Sequence, residues 1–305
     1  MDKKTLKTDF LLILTALIWG FAFTAQRTSM RYIGPFLFNG LRFFLGAFFL
    51  IPVLYFLNRK NAHRKKRKKN EKIWLYGLTA GIFLFAGASL QQIGIIYTTA
   101  GKSGFITGLY VVLVPILGMF FGQQTEKGRW IGVVFAAAGL YFLSITESFT
   151  IEFGDFLVFL SAFFWAAHVI AISKFSPKVD ALKLSMIQYF YCAAASIIVA
   201  VFTEKIQAEM IQAAWLPIFY GGVCSVGIAY TLQVVAQKDA HPAHAAIILS
   251  MEGTFAVLGG FLILGEVLTP RNVLGCALMF CGMLISQGSV IFSRRKHKAV
   301  HYKEV

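Results

Sequence analysis

Two residues in this sequence carry charge where charge is expensive. Arg42 sits in the oily run NGLRFFLGAFFLIPVLYFL (39–57), and Glu252 sits in LSMEGTFAVLGGFLILGEVLT. At a rise of about 1.5 Å per residue, Arg42 lies about 10 Å below one edge of its run and Glu252 about 13 Å above the opposite edge of its own; in a hydrocarbon core about 30 Å thick their levels differ by about 6 Å. A charge at that depth costs about 2.5 to 3.5 kcal/mol on insertion scales, so each is expected to face the protein interior with a partner. Arg42 is a candidate for holding an anionic group of a solute. The alternatives are a structural ion pair with Glu252 and a side chain reaching up to the interface. Glu252 and His168 are the candidates for coupling to protons, because a low dielectric disfavours a charged carboxylate and imidazole titrates near neutrality. A helix-locking hydrogen bond competes for Glu252, and plain packing for His168.

Trp19 and Trp165 each fall nine residues into a run. Tryptophan normally prefers the membrane interfaces, so two at mid-depth are candidate aromatic walls of a binding site, with helix packing as the alternative. Tyr110, Gln91, Gln188, Gln92, Gln233 and Gln237 could supply neutral hydrogen bonds to a solute, with interhelical bonding as the alternative for each. His244 is expected at a rim, and Lys102, in YTTAGKSG, as a solvated cation at the mouth of the opposite face. No His, Cys, Asp or Glu spacing suits a metal, and no cofactor motif or catalytic cluster is present. Cys192, Cys224, Cys276 and Cys281 lie in apolar runs and read as small core hydrophobes.

The elements that must position these residues follow from composition. Of the 305 residues 57% are hydrophobic and 14% charged, against roughly 25% charged in a soluble domain. Too few polar side chains remain to clothe a water-facing globule. Ten runs of about 17 to 25 apolar residues are present, none alternating with period two, so the expectation is an all-α integral membrane protein and not a barrel. The start, MDKKTLKTDFLLILTALIWG, has the basic and apolar parts of a secretory signal without a cleavage site, and reads as an uncleaved first span. With the N-terminus placed in the cytoplasm, most of the 29 Lys and Arg fall on cytoplasmic loops. That bias puts both termini inside, in a multi-pass protein of the cell (inner) membrane. The run NRKNAHRKKRKKNEK (58–72) then anchors against anionic lipid headgroups, and the net charge of +15 does not point to nucleic acid.

DFLLILTALIWGFAFTAQR (9–27) repeats as DFLVFLSAFFWAAHVIAIS (155–173), with Asp9, Phe10 and Trp19 matching Asp155, Phe156 and Trp165. Each copy holds an odd number of spans, so the second enters the membrane from the opposite side. The expected fold is ten transmembrane helices in two five-helix inverted-topology repeats: 1–148, 149–292, and a basic tail at 293–305. Inverted repeats suit carriers, because two similar packings can exchange between inward-open and outward-open states.

ALIWGFAF, IGPFLFNGLRFFLGA, YTTAGKSGFITGLYVVLVP and LSMEGTFAVLGGFLILGEVLT resemble the drug/metabolite transporter superfamily of the EamA type. The resemblance covers nearly the whole chain and implies two tandem five-helix domains that move small organic solutes, amino acids and other metabolites among them. Two departures stand out. Glu252 is followed by Gly253 where the pattern has proline, which bears on a helix break. The first half has Gln123 where its partner has Glu266, a difference taken to concern only a cytoplasmic rim.

The expected function is therefore a secondary transporter, an exporter, of a small amphipathic organic metabolite such as an amino acid, working by alternating access, passive or proton-coupled. The chain contains no GxxxxGK[ST] loop for ATP. Its partners are the solute, the bilayer and, left open, a second copy in a homodimer. A membrane-embedded enzyme would need clustered acids or metal ligands, and a receptor or scaffold would need an effector domain or long ordered loop; the sequence offers neither.

Overall fold

The computed structural model describes residues 3–60, 71–120, 122, 127–144, 152–267 and, between 269 and 285, all but 272, 276, 279 and 283. Most of the basic run 58–72, Gln123, Cys276 and the tail 293–305 lie outside the described residues.

Apolar runs bounded by Lys, Pro or turn residues become helices. They are α1 (Lys3–Ser29), α2 (Pro35–Lys60), α3 (Ile73–Gly94), α4 (Ala100–Thr107), α5 (Tyr110–Phe120), α6 (Lys127–Ser144), α7 (Phe153–Phe175), α8 (Ala181–Thr203), α9 (Ala208–Ala213) and α10 (Trp215–Phe219). A π-helix, Tyr220–Tyr230, then leads into α11 (Thr231–Ala236), followed by α12 (Pro242–Leu249) and α13 (Glu252–Leu264). In lipid each helix satisfies its own backbone, which is why apolar stretches of this length settle as helices. Eight stretches among the described residues are long and apolar enough to cross a membrane; α4 with α5, α10 to α11, and α12 with α13 each form one of them. Two shorter apolar helices, Trp130–Gly139 and Val273–Gly282, stand at the positions of the fifth and tenth expected spans.

The surface is inverted relative to a soluble protein. Phe48, Ile82, Val134, Val201 and Leu262 are each more than half exposed, whereas Asn39, Gln92, His168 and Gln188 have no exposed surface. Such an apolar exterior has a favourable environment only in acyl chains. Cys192 is buried, Cys224 half-buried and Cys281 exposed. The core reading thus holds for Cys192, while Cys281 is on the apolar exterior because its helix lies at the periphery.

Contacts at the helix ends sort the chain onto two faces. At one, Lys4 pairs with Asp239 at 2.7 Å, and the Tyr76 and Phe175 rings stack at 4.4 Å. At the other, Arg27 Nη1 donates to the carbonyls of Ile95 and Ile96 at 2.7 and 2.6 Å, and Glu204 accepts from the amides of Phe36 and Leu37 at 2.7 and 2.8 Å. Helix α1 starts at the Lys4 face. Helix α7, its sequence repeat, starts at the Arg27 face, where Thr98 donates to Asp155 at 2.6 Å. Helix α1 and its repeat α7 therefore run in opposite senses. Packing follows the same exchange: α3 lies on α7 and α8 as the π-helix lies on α1 and α2, and α2 packs on α8 across the middle.

Close approach limits one of these seams. A Cβ at Gly20 would collide with Phe255 Cβ and come within 2.8 and 2.9 Å of backbone atoms of Phe255 and Ala256, so α1 and α13 meet backbone to backbone. Gly20→Ala is expected to lower stability in detergent by about 1–3 kcal/mol, the usual cost of overpacking. An unchanged unfolding midpoint would show that this seam yields freely.

Candidate functional site

Depth and chemistry meet in one small cavity at the junction of the two copies. Trp19, Gln26, Arg42, Gln91, Tyr110, Trp165, Tyr230, Gln233 and Glu252 line it, and it holds about 30 Å³. That is close to the share of liquid volume of a single water molecule. The site is shut.

Arg42 is 1% exposed and is held by local groups. Its Nε donates to Asn39 Oδ1 at 2.9 Å, one helical turn away, and Asn39 in turn donates to the Ala88 carbonyl at 3.1 Å. Its guanidinium lies 5.2 and 5.0 Å from the ring centroids of Phe38 and Phe43, within cation–π range. Gly221 makes the space: a Cβ there would stand 3.4 Å from Arg42 Cβ and Cδ. Arg42 does not pair with Glu252. Both side chains reach the same cavity, and Arg42 Nη2 and Glu252 Oε1 have no hydrogen-bond partner.

The two halves place Glu252 and Tyr110 by the same device. Helix α4 gives way to α5 at Gly108 and Leu109, where Leu109 N bonds to Ile106 O at 3.1 Å and Val111 N to Gly108 O at 3.0 Å. Helix α12 gives way to α13 at Ser250 and Met251, where Met251 N bonds to Ile248 O at 3.2 Å and Gly253 N to Ser250 O at 3.0 Å. These i→i−3 bonds tighten both spans into a 3₁₀ turn, a form often found at functional points of helices. Tyr110 and Glu252 open the segments that follow, and the Tyr110 hydroxyl lies beside the Glu252 carboxyl without either Tyr110 OH or Glu252 Oε1 meeting hydrogen-bond geometry. The break persists with Gly253 in place of proline.

Aromatic walls close the remainder. Trp19 lies 4.4 Å from Tyr230 at 58°, and Trp165 lies 6.0 Å from Tyr230 at 31°. Tyr230 is the hub, touching Phe43, His168 and Tyr189 as well. The π-helix explains how α1 docks there: Trp19 Nε1 donates to the Ser225 carbonyl at 3.4 Å, and Thr15 to the Ala229 carbonyl at 3.2 Å.

The eight candidate residues fall into two groups. Arg42, Glu252, Trp19, Trp165, Tyr110 and Gln91 line the cavity, with Gln91 donating to Thr107 at 2.8 Å. His168 and Gln188 stand behind the wall, bonded to each other at 2.8 Å. Tyr230, Ser225 and Gln26 were not singled out from sequence; a tyrosine interrupting the apolar run GIAYTLQVV was the signal available. Gln233, a hydrogen-bonding candidate from sequence, lines the cavity.

Three rim readings change. His244 is buried and bonds Asp9 at 2.9 Å, which ties α12 to α1, because a polar ring next to a buried carboxylate gains more from pairing than from the rim. Lys102 is not simply solvated: it lies 3.6 Å from Asp155 and 3.8 Å from Glu152. Glu266 is not at the rim of the Lys4 face. Its carboxylate accepts from the amides of Ala100 and Gly101 at 3.0 and 3.2 Å, at the Arg27 face, where the first amides of α4 lack intrahelical partners. Each face is thus fastened by contacts between the copies, with the cavity between.

Comparison with known proteins agrees with this architecture. The model of the EamA-like transporter family matches residues 6–145 and again 152–287. An uncharacterized transporter of Archaeoglobus fulgidus is 34% identical over 286 residues, covering 92% of this chain and 86% of that one. The uncharacterized transporter YoaV of Bacillus subtilis is 24% identical over 293 residues, covering 93% and 97%. A protein crystal structure aligns with a TM-score of 0.74 at 17% identity, over 94% of this chain and 98% of that one, which establishes likeness of fold.

Asn39→Ala should remove both the acceptor for Arg42 and the bond to α3. Leaving a buried charged donor unpartnered costs about 1–3 kcal/mol or more, so a clear drop in the unfolding midpoint is expected in neutral detergent. Stability equal to the parent protein would mean that Arg42 is held by the rings alone.

Proposed function

We propose a carrier mechanism for this chain, which belongs to the EamA-like transporter family: a secondary transporter that exports a small zwitterionic or amphipathic metabolite, an amino acid or a close relative, by alternating access. The supporting observation is the set of unpartnered groups around the cavity. Arg42 Nη2 and Trp165 Nε1 are donors without acceptors, while Glu252 Oε1, Gln233 Oε1 and Gln26 Oε1 are acceptors without donors. Buried polar atoms are normally satisfied. A solute carboxylate would answer the donors, an ammonium group the acceptors, and Trp19, Trp165 and Tyr230 would flank its apolar part.

A cavity of about 30 Å³ admits no such solute, so the site must open. Alternating access supplies the opening: release of the Arg27-face contacts at Glu266, Lys102 and Glu204 exposes the cavity to one side, and release of Asp9–His244 and Lys4–Asp239 to the other. Since both sets join the two copies, the bundles can rock about the α2–α8 seam. Glu252, the only acid lining the cavity among the described residues, is the group through which a proton gradient would act, and the basic loops support a cytoplasmic Lys4 face.

Purified protein in liposomes should exchange a labelled amino acid, tested as a panel, faster than empty liposomes. Arg42→Ala should reduce this exchange at least about tenfold, and Arg42→Lys, which keeps the charge but loses the fork, should retain an intermediate rate. Wild-type rates in a folded Arg42→Ala protein would remove the cavity role. Glu252→Gln should make the rate insensitive to an imposed pH gradient. A gradient response as large as the parent's would end the proton-coupled form and leave passive exchange.

A further inference from the structure

A second cavity lies outside the central one. It holds about 490 Å³, within the 300 to 1,000 Å³ range of sites that bind drug-sized molecules. It is formed where α3 and α5 both pack on α7, at the Lys4 face, with Phe83 of α3, Leu117 of α5 and Ile170 of α7 as apolar walls. Lys174, in the last turn of α7, and Lys238, in the turn before α12, stand at its polar end. Gln237 is 1% exposed and lines it too. Its Nε2 donates to Val169 O at 3.4 Å and to Ser173 Oγ at 3.2 Å, which fixes the amide orientation, and its Oε1 has no partner.

We propose that this cavity binds one anionic phospholipid of the leaflet at the Lys4 face. The walls and the mouth argue for a lipid. On α3 the neighbouring Leu78 and Ile82 are exposed, and on α5 so are Ile116, Met119 and Phe120, the last 82% exposed; the gap between the helices therefore opens onto acyl chains. The two lysines sit where a phosphate would lie, at the helix ends. Gln237 Oε1 adds a requirement that charge alone does not, because an orphaned acceptor calls for a donor, and a glycerol hydroxyl on the headgroup supplies one. Phosphatidylglycerol combines all three features. The site is one turn along α7 and α11 from the central cavity, since Val169 and Gln233 line that one while Ser173 and Gln237 line this one. Lipid occupancy would brace the contact between α7 and the Gln237–Pro242 turn.

Native mass spectrometry of the full chain from neutral detergent, titrated separately with phosphatidylglycerol, phosphatidylmethanol and phosphatidylcholine, tests this. The parent protein should retain one phosphatidylglycerol in preference to phosphatidylcholine, with phosphatidylmethanol, charged but lacking the hydroxyl, between them. Leu117→Trp, which narrows the cavity between α5 and α7, should weaken the preference. Lys174→Gln with Lys238→Gln should weaken it roughly fivefold per lysine, and the arginine pair should restore it. Lys205→Gln, far from the cavity, controls for general surface charge. Equal retention of phosphatidylglycerol and phosphatidylcholine by the parent protein would overturn the proposal. So would a folded Leu117→Trp protein whose preference is undiminished, or occupancy by a water-soluble solute alone.

Discussion

A guanidinium buried in a bundle that is itself wrapped in apolar side chains has to be solvated by protein, and the rest of the centre is arranged around that demand. Asn39 turns a backbone carbonyl of α3 into support for Arg42, Phe38 and Phe43 offer ring faces, and Gly221 withholds a side chain so that the stem can pass. Asn39 ties α2 to α3 within one copy and Gly221 brings the π-helix of the other onto α2, so the residues that hold the charge also join helices within and between the copies. Removing the charge would relieve an expense; removing its supports would leave it stranded, which is the costlier change.

Much of this was legible because burying charge is costly enough to be informative. Arg42 and Glu252 stood out in apolar runs, and depth bookkeeping put them at one level. Trp19 and Trp165 stood out because tryptophan at mid-depth is unusual, and the repeat aligned them. Tyr230 did not, since tyrosine in an apolar run carries no comparable penalty and a π-helix leaves no separate period in hydropathy. His168 and Gln188 had the right chemistry and depth, but which face of α7 or α8 looks into the cavity depends on packing between helices, not on composition.

The fastenings at the two faces were the least legible part. Asp9 meets His244 across 235 residues of sequence, and Glu266 meets Gly101 across 165. Nothing in either local sequence marks the partner, and a carboxylate in a loop is ordinarily solvated. What draws Glu266 in is a helix start whose amides have no bonds of their own, a property of α4 visible only once its first turn is placed. Glu204 does the same for α2.

The π-helical stretch under Tyr230 has a mechanical corollary. A helix wound with i→i+5 bonds carries surplus length relative to the ordinary winding, and giving up one residue of that surplus would turn everything beyond it by about 100° about the axis. Tyr230 sits at the end of the stretch, so a single slip of winding would withdraw the hub ring from both tryptophans at once, with no helix needing to travel. The ring against which both tryptophans pack is thus held in place by an exceptional winding of its own backbone.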